Sequence, residues 1–162
     1  MHRVILLLGG NLGDIKTTLK HARDLLSNEI GDVIKQSKLY ESEPWGFEHA
    51  QNFLNQVIEI KTAFSARELL VATQNIEREL GRKQKTSTHY EGRLIDIDIL
   101  FFDDIIVDES DLIIPHPRLH ERLFTLLPLN ELWSDFNHPL LKKSISELSD
   151  ECEDNCWARE LK

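Results

Sequence analysis

The chain has little cysteine, a deficit of basic residues and no long apolar run, and each shortage removes a class of reading. Its two cysteines, Cys152 and Cys156, lie at helical spacing in an acidic C-terminal segment. No histidine or cysteine cluster nearby completes a zinc site, which leaves two reduced thiols. Lys and Arg number 19 against 28 Asp and Glu, a net charge of −9. That balance argues against a non-specific nucleic-acid binder, whose phosphate contacts need a basic surface. The opening apolar run, Val4 to Leu8, is shorter than a signal-peptide core and far shorter than a bilayer span. A cytoplasmic protein with no membrane partner is expected. Repeats and low-complexity tracts are absent, and GGNLGD is not a G-x-G-x-x-G fingerprint. What remains is a chain of 162 residues, long enough for one domain over residues 1–162 that acts on a small molecule.

Residues 3 to 8 read as a buried strand, closed by turn residues Gly10 and Gly13 and followed by helical spacing at Ile15, Leu19, Ala22, Leu25 and Leu26. Residues 33 to 42 alternate weakly. FLNQVIEIK, residues 53 to 61, is a clearer strand with Phe53, Asn55 and Val57 on one face. Ser65 and Glu68 form a capping box for a helix over 66 to 80, ended by Gly81, which puts Gln74 and Glu77 one turn apart. RKQKTSTHYEGR, residues 82 to 93, has neither period and is a candidate lid. A strand at 92 to 102 follows, then a short return strand near Ile105 to Val107, a helical run from Arg118 to Leu127 and a closing acidic helix. The order βαββαβ, with an extra C-terminal strand and helices, predicts an α+β sandwich of the ferredoxin-like kind with helices on one side of the sheet.

Within GRLIDIDILFF the strand period sends Ile95, Ile97, Ile99 and Phe101 to one face, and Leu94, Asp96, Asp98 and Leu100 to the other. Two carboxylates about 6 to 7 Å apart repel unless a cation lies between or beside them. Hard oxygen ligands suit Mg²⁺, and the pair could hold two ions around a phosphate chain. Solvated acids on an open sheet face would give the same pattern. Arg82, Lys83, Lys85 and Arg93 precede the pair closely, as polyphosphate binding requires, although a solvated loop after a helix C-terminus also collects cations. His116 sits between Pro115 and Pro117, with Arg118, His120 and Arg122 just beyond, a rigid mount for a donor or an ordinary surface histidine. Phe53 and Asn55 could stack a flat heterocycle and read its edge, or could be a core aromatic and a strand end.

Six segments in this order resemble one known family: GGNLGD, YESEPWG at 40 to 46, FLN at 53 to 55, QNIERELGR at 74 to 82, RLIDIDIL at 93 to 100 and PHPRLHERLF at 115 to 124. The chain resembles the 6-hydroxymethyl-7,8-dihydropterin pyrophosphokinases, folate-pathway enzymes that move pyrophosphate from ATP to a pterin alcohol. The resemblance implies a ferredoxin-like sandwich, and a monomer is expected. It also implies two Mg²⁺ on Asp96 and Asp98, with ATP phosphates handled by Arg82, Arg93, His116 and Arg122. Of these Arg82, Arg93 and His116 would be catalytic. Gln74 and Glu77 would lie near the nucleotide. Phe53 and Phe124 would sandwich the pterin, Asn55 would read its edge, and Ser42 and Trp45 would line the pocket. Three departures stand out. Tyr90-Glu91-Gly92-Arg93 replaces a common Trp-Gly-Pro-Arg, Pro117 replaces a frequent Tyr, and Asp111 replaces a basic residue of some members.

Two rivals remain at this level. A two-metal nucleotidyl transferase would attack the α-phosphorus, against which the stacking residues speak, and a ferredoxin-like sensing module would use the aspartates only to cap a sheet.

Overall fold

The apolar run that opens the chain becomes the centre of a six-stranded sheet. β1 (His2–Gly10) lies between β4 (Phe53–Thr62) and β5 (Asp96–Phe102) and runs antiparallel to both. Residues 4 to 10 are all buried, because both faces of β1 are covered. In this computed structural model the described residues are 1–44, 51–81 and 94–162. β2 (Gly31–Gln36) and β3 (Tyr40–Ser42) both pair with β4, and β8 (Ala158–Glu160) extends the edge beyond β3. With β2 and β3 taken as one interrupted strand, the order is compatible with the ferredoxin-like arrangement.

α1 (Ile15–Glu29) starts where Gly13, at φ +68°, lets the chain turn, and the Asp14 carboxylate accepts from the Thr17 N–H. α2 (Ala66–Glu79) begins on the expected Ser65/Glu68 capping box. Both helices pack Ile15, Leu19, Leu26, Leu69 and Ile76 against Leu6, Leu8, Ile58 and Ile60. The opposite face is covered too. α3 (Leu123–Trp133) and α4 (Ile145–Glu151) bury Leu126, Leu129, Trp133 and Ile145 against Ile5, Leu7 and Val57. Helices on one side only was therefore the wrong expectation: β1 is apolar on both faces and each needs a cover.

Five local readings are also corrected. The β1–β5 register shifts between Ile5 and Leu6, with Ile5 opposite Phe101 and Leu6 opposite Ile99. Leu100 is the extra residue of this bulge, so Phe101 joins Leu100 in the α3 layer and Phe102 returns to the face of Ile97 and Ile99. Gly10 is a strand residue, not a turn. The return strand is β6 (Val107–Glu109), which pairs with β7 (Leu112–Ile114) as a separate hairpin after a turn at Asp103 and Asp104. The run expected over 118 to 127 is a 3-10 turn, Leu119–Glu121, followed by α3, which passes through Pro128 because Leu126 before it and Leu129 and Trp133 after it are buried. The acidic helix α4 ends before Cys152, so both cysteines follow it and are free thiols, and β8 is the last element of the chain.

Candidate active site

Asn55, Gly9 and Asp96 stand in one row across the sheet, Asn55 on β4, Gly9 on β1 and Asp96 on β5. Two residues along, Val57, Leu7 and Asp98 form the next row of the same face. Directly paired residues share a face. Leu7 and Val57 belong to the α3 layer, so Asn55, Asp96 and Asp98 all look toward that layer.

Gly9 is the low point of the row. A Cβ there would lie 2.9 Å from Asn55 Oδ1, inside any ordinary contact, so only glycine admits the Asn55 amide in its present place. Asn55 is 2 % exposed, and its Nδ2 donates to Ser42 Oγ at 2.9 Å and to the Tyr40 carbonyl at 3.3 Å. A carbonyl can only accept, which fixes the orientation of the amide and turns Oδ1 toward Gly9 as an acceptor. Ser42 is buried and pairs with Phe53, which is partly exposed on the same face as Asn55.

The strand that carries Asp96 and Asp98 is braced from behind. Glu77 of α2 is 6 % exposed, and its Oε2 accepts from the Ile97 N–H at 2.9 Å. Among the described residues β5 is the edge of the sheet, and this bond satisfies an amide on its outer side. Asp96 and Asp98, on either side of Ile97, are part-buried. Gln74, one turn before Glu77, is solvent-exposed on α2.

On the α3 side, the His116 N–H donates to the Leu100 carbonyl at 3.0 Å, tying the Pro-His-Pro segment to β5. His116 Nδ1 accepts from the Arg118 N–H at 3.2 Å. Burial first, then the Arg122 and Arg118 cations, push the ring down to about 4. At neutral pH His116 is therefore uncharged and carries its proton on Nε2. The Arg122 guanidinium carbon lies 5.4 Å from the Phe124 ring centroid, a cation–π contact that presents charge and an aromatic face together. Phe124 packs on the α3 layer. His120 lies instead near His138, whose ring is pushed down to about 4 by burial and by that neighbour.

Among the described residues, no three metal-binding side chains gather. Two carboxylates on one strand face are a donor set that suits Mg²⁺, which takes most of its ligands from water or bound phosphate. Among the described residues, no helix is long and apolar enough to cross a membrane.

A family model described as 7,8-dihydro-6-hydroxymethylpterin-pyrophosphokinase matches residues 5–134. The chain belongs to this family. It is 44 % identical over 126 residues to the 2-amino-4-hydroxy-6-hydroxymethyldihydropteridine pyrophosphokinase of Bacillus subtilis, covering 77 % of this chain and 74 % of the relative. To the protein of the same name from Aquifex aeolicus it is 38 % identical over 151 residues, covering 93 % and 92 %. The fold is shared with the Plasmodium falciparum HPPK-DHPS triple mutant crystallised with STZ-DHP, at TM-score 0.77 and 19 % identity. That match takes in 93 % of this chain and 43 % of the Plasmodium chain.

Trp45, Arg82, Lys83, Lys85, Arg93 and the candidate lid with Tyr90-Glu91-Gly92 lie outside the described residues. Two residues that fix the Asn55 amide were not singled out in the sequence, Gly9 and Tyr40. A glycine inside a strand signals close approach, but the Gly-Gly pair read as a turn. The Tyr40 contribution is a backbone carbonyl, which leaves no trace in side-chain pattern. Asp111, which the resemblance set against a basic residue of some members, has a partner of its own: Arg67 reaches it at 2.7 Å and Glu109 at 2.6 Å.

Proposed function

We propose that the chain transfers the pyrophosphoryl group of ATP to the hydroxymethyl oxygen of 6-hydroxymethyl-7,8-dihydropterin in folate biosynthesis, releasing AMP. The observation that carries the reading is the row Asn55, Gly9, Asp96. Asn55 and Asp96 are two strand spacings apart, about 10 Å, with a residue lacking a side chain between them. A flat heterocycle read by Asn55 can lie over Gly9 and direct a short side arm at the carboxylate.

In this reading Phe53 and Phe124 stack on the pterin, Asn55 Oδ1 accepts from its ring N–H groups, and Ser42 and Trp45 line the pocket. His116 donates a neutral Nε2–H to a phosphate oxygen, while Arg122, Arg82 and Arg93 neutralise the phosphate chain. Gln74 and Glu77 lie on the nucleotide side, Glu77 through its hold on β5. Two Mg²⁺ at Asp96 and Asp98 would supply charge neutralisation around the phosphates. No side chain acts as nucleophile: the pterin hydroxyl attacks the β-phosphorus and the bond to the α-phosphate oxygen breaks. The enzyme works as a cytoplasmic monomer, with no nucleic-acid or membrane partner.

Chromatography and mass analysis of the pterin after incubation with ATP and Mg²⁺ test this reading. A pterin diphosphate is expected. A pterin monophosphate, a nucleotidylated pterin or unchanged pterin contradicts it.

A further inference from the structure

α3 opens beside the stacking residue Phe124 with no cap of its own. Arg122 occupies the N-cap position, carries no acceptor and makes no side-chain capping bond. The missing acceptor comes from the far end of the chain. Asp154 Oδ2 accepts from the Leu123 N–H at 3.0 Å, and Asp154 Oδ1 accepts from the Cys156 N–H at 2.9 Å, which fixes the carboxylate's own loop.

The same segment is fastened to the opposite wall of the pocket. The Trp157 N–H donates to Glu43 Oε1 at 3.0 Å, and the Trp157 carbonyl accepts from the Glu43 N–H at 3.3 Å. Ala158 then pairs with Ser42, Arg159 reaches Glu41 at 2.9 Å, and the Leu161 N–H donates to the Leu39 carbonyl at 2.8 Å. Thus one stretch of chain, residues 154 to 161, bonds both β3, which carries Ser42, and the first amide of α3, next to Phe124. This stretch lies beyond the residues matched by the family model, which end at 134.

We infer that the C-terminal segment is a strap that sets the spacing between the two pocket walls, and that Asp154 is a positioning residue for the heterocycle's stacking partner. The inference rests on the proposed pterin pocket. A carboxylate at the start of α3 also matches the helix dipole, so the bond is directional as well as covering an orphan amide. Losing it frees the first turn of α3 and with it the Phe124 ring, while the Asp96 and Asp98 side of the site keeps its own brace at Glu77.

The test compares Asp154→Ala, Asp154→Asn and Ser144→Ala, the last removing the capping hydroxyl of α4 as a control for general loosening. Steady-state kinetics with ATP, Mg²⁺ and 6-hydroxymethyl-7,8-dihydropterin are expected to show KM for the pterin raised about five-fold in Asp154→Ala. KM for ATP and kcat should stay within about two-fold of the parent. Asp154→Asn keeps one acceptor and should show a smaller rise, and Ser144→Ala none. Amide exchange at Leu123 and Phe124 should quicken in Asp154→Ala with no substrate present. An unchanged pterin KM in Asp154→Ala, or an equal rise in Ser144→Ala, overturns the strap while leaving the pterin reading intact. A parent protein that neither turns over nor binds the pterin overturns both.

Discussion

Glu77 Oε2 accepts the Ile97 N–H at 2.9 Å, so a carboxylate from α2 holds the one residue that separates Asp96 from Asp98. The bond links a buried helix residue to the geometry of the proposed metal site. Glu77→Ala leaves an edge-strand amide enclosed without this acceptor and should cost about 1 to 3 kcal/mol in urea unfolding. Glu77→Gln keeps an acceptor oxygen and should recover most of that loss. Equal stability of the alanine variant and the parent would show that the brace contributes nothing.

Asp96→Ala and Asp98→Ala should each lower turnover by on the order of 10³-fold or more, with the fold retained, because on the proposed reading either change removes a hard oxygen ligand for Mg²⁺. The comparison is kcat at saturating Mg²⁺ and ATP, beside far-UV circular dichroism. Near-parental turnover in either variant sinks the metal assignment.

Gly9→Ala places a methyl 2.9 Å from Asn55 Oδ1. Asn55 cannot retreat easily, because its Nδ2 is held by Tyr40 and Ser42. The pterin KM should rise roughly ten-fold, a cost comparable to one displaced hydrogen bond, with the ATP KM little changed. A larger effect on ATP than on pterin would move the heterocycle away from Asn55.

His116 and His138 are both pushed down to about 4, each by burial first, from a usual value of 6.5. In the unfolded chain both rings take up protons near that usual value, while in the folded chain they resist until pH nears 4. Folding stability is therefore full above about pH 6.5 and is lost as pH falls from there toward about 4, where the unfolded chain binds more protons. Urea unfolding at about pH 5 and about pH 7.5 should show this loss. His138→Asn, whose amide oxygen can replace Nδ1 as acceptor for the Leu140 and Leu141 amides, should shrink it to the His116 share, about half. A parent chain equally stable at both pH values contradicts the burial of neutral rings.

The acidic pair, the capping box of α2, the Phe53 and Asn55 face and the Pro-His-Pro mount were legible because each depends on local period or local chemistry. What was not legible depends on which element meets which. Leu100 and Phe101 are both apolar, so no alternation reveals the bulge that moves Phe101 to the other face. Glu77 reads as a polar residue one turn from Gln74, and only the packing of α2 under β5 gives it the Ile97 amide. α3 runs through Pro128 because tertiary burial outweighs the lost hydrogen bond. The tail from Cys152 onward is short and acidic with no clear period, and its strand exists only because β3 offers an edge.

The most direct measurement of the central claim is the identity of the nucleotide released from ATP labelled at the α-phosphorus, with Mg²⁺ and with or without 6-hydroxymethyl-7,8-dihydropterin. Attack at the β-phosphorus leaves the label in AMP, and only when the pterin is present. Label recovered in ADP, label attached to the pterin, or AMP formed equally without the pterin would contradict the account.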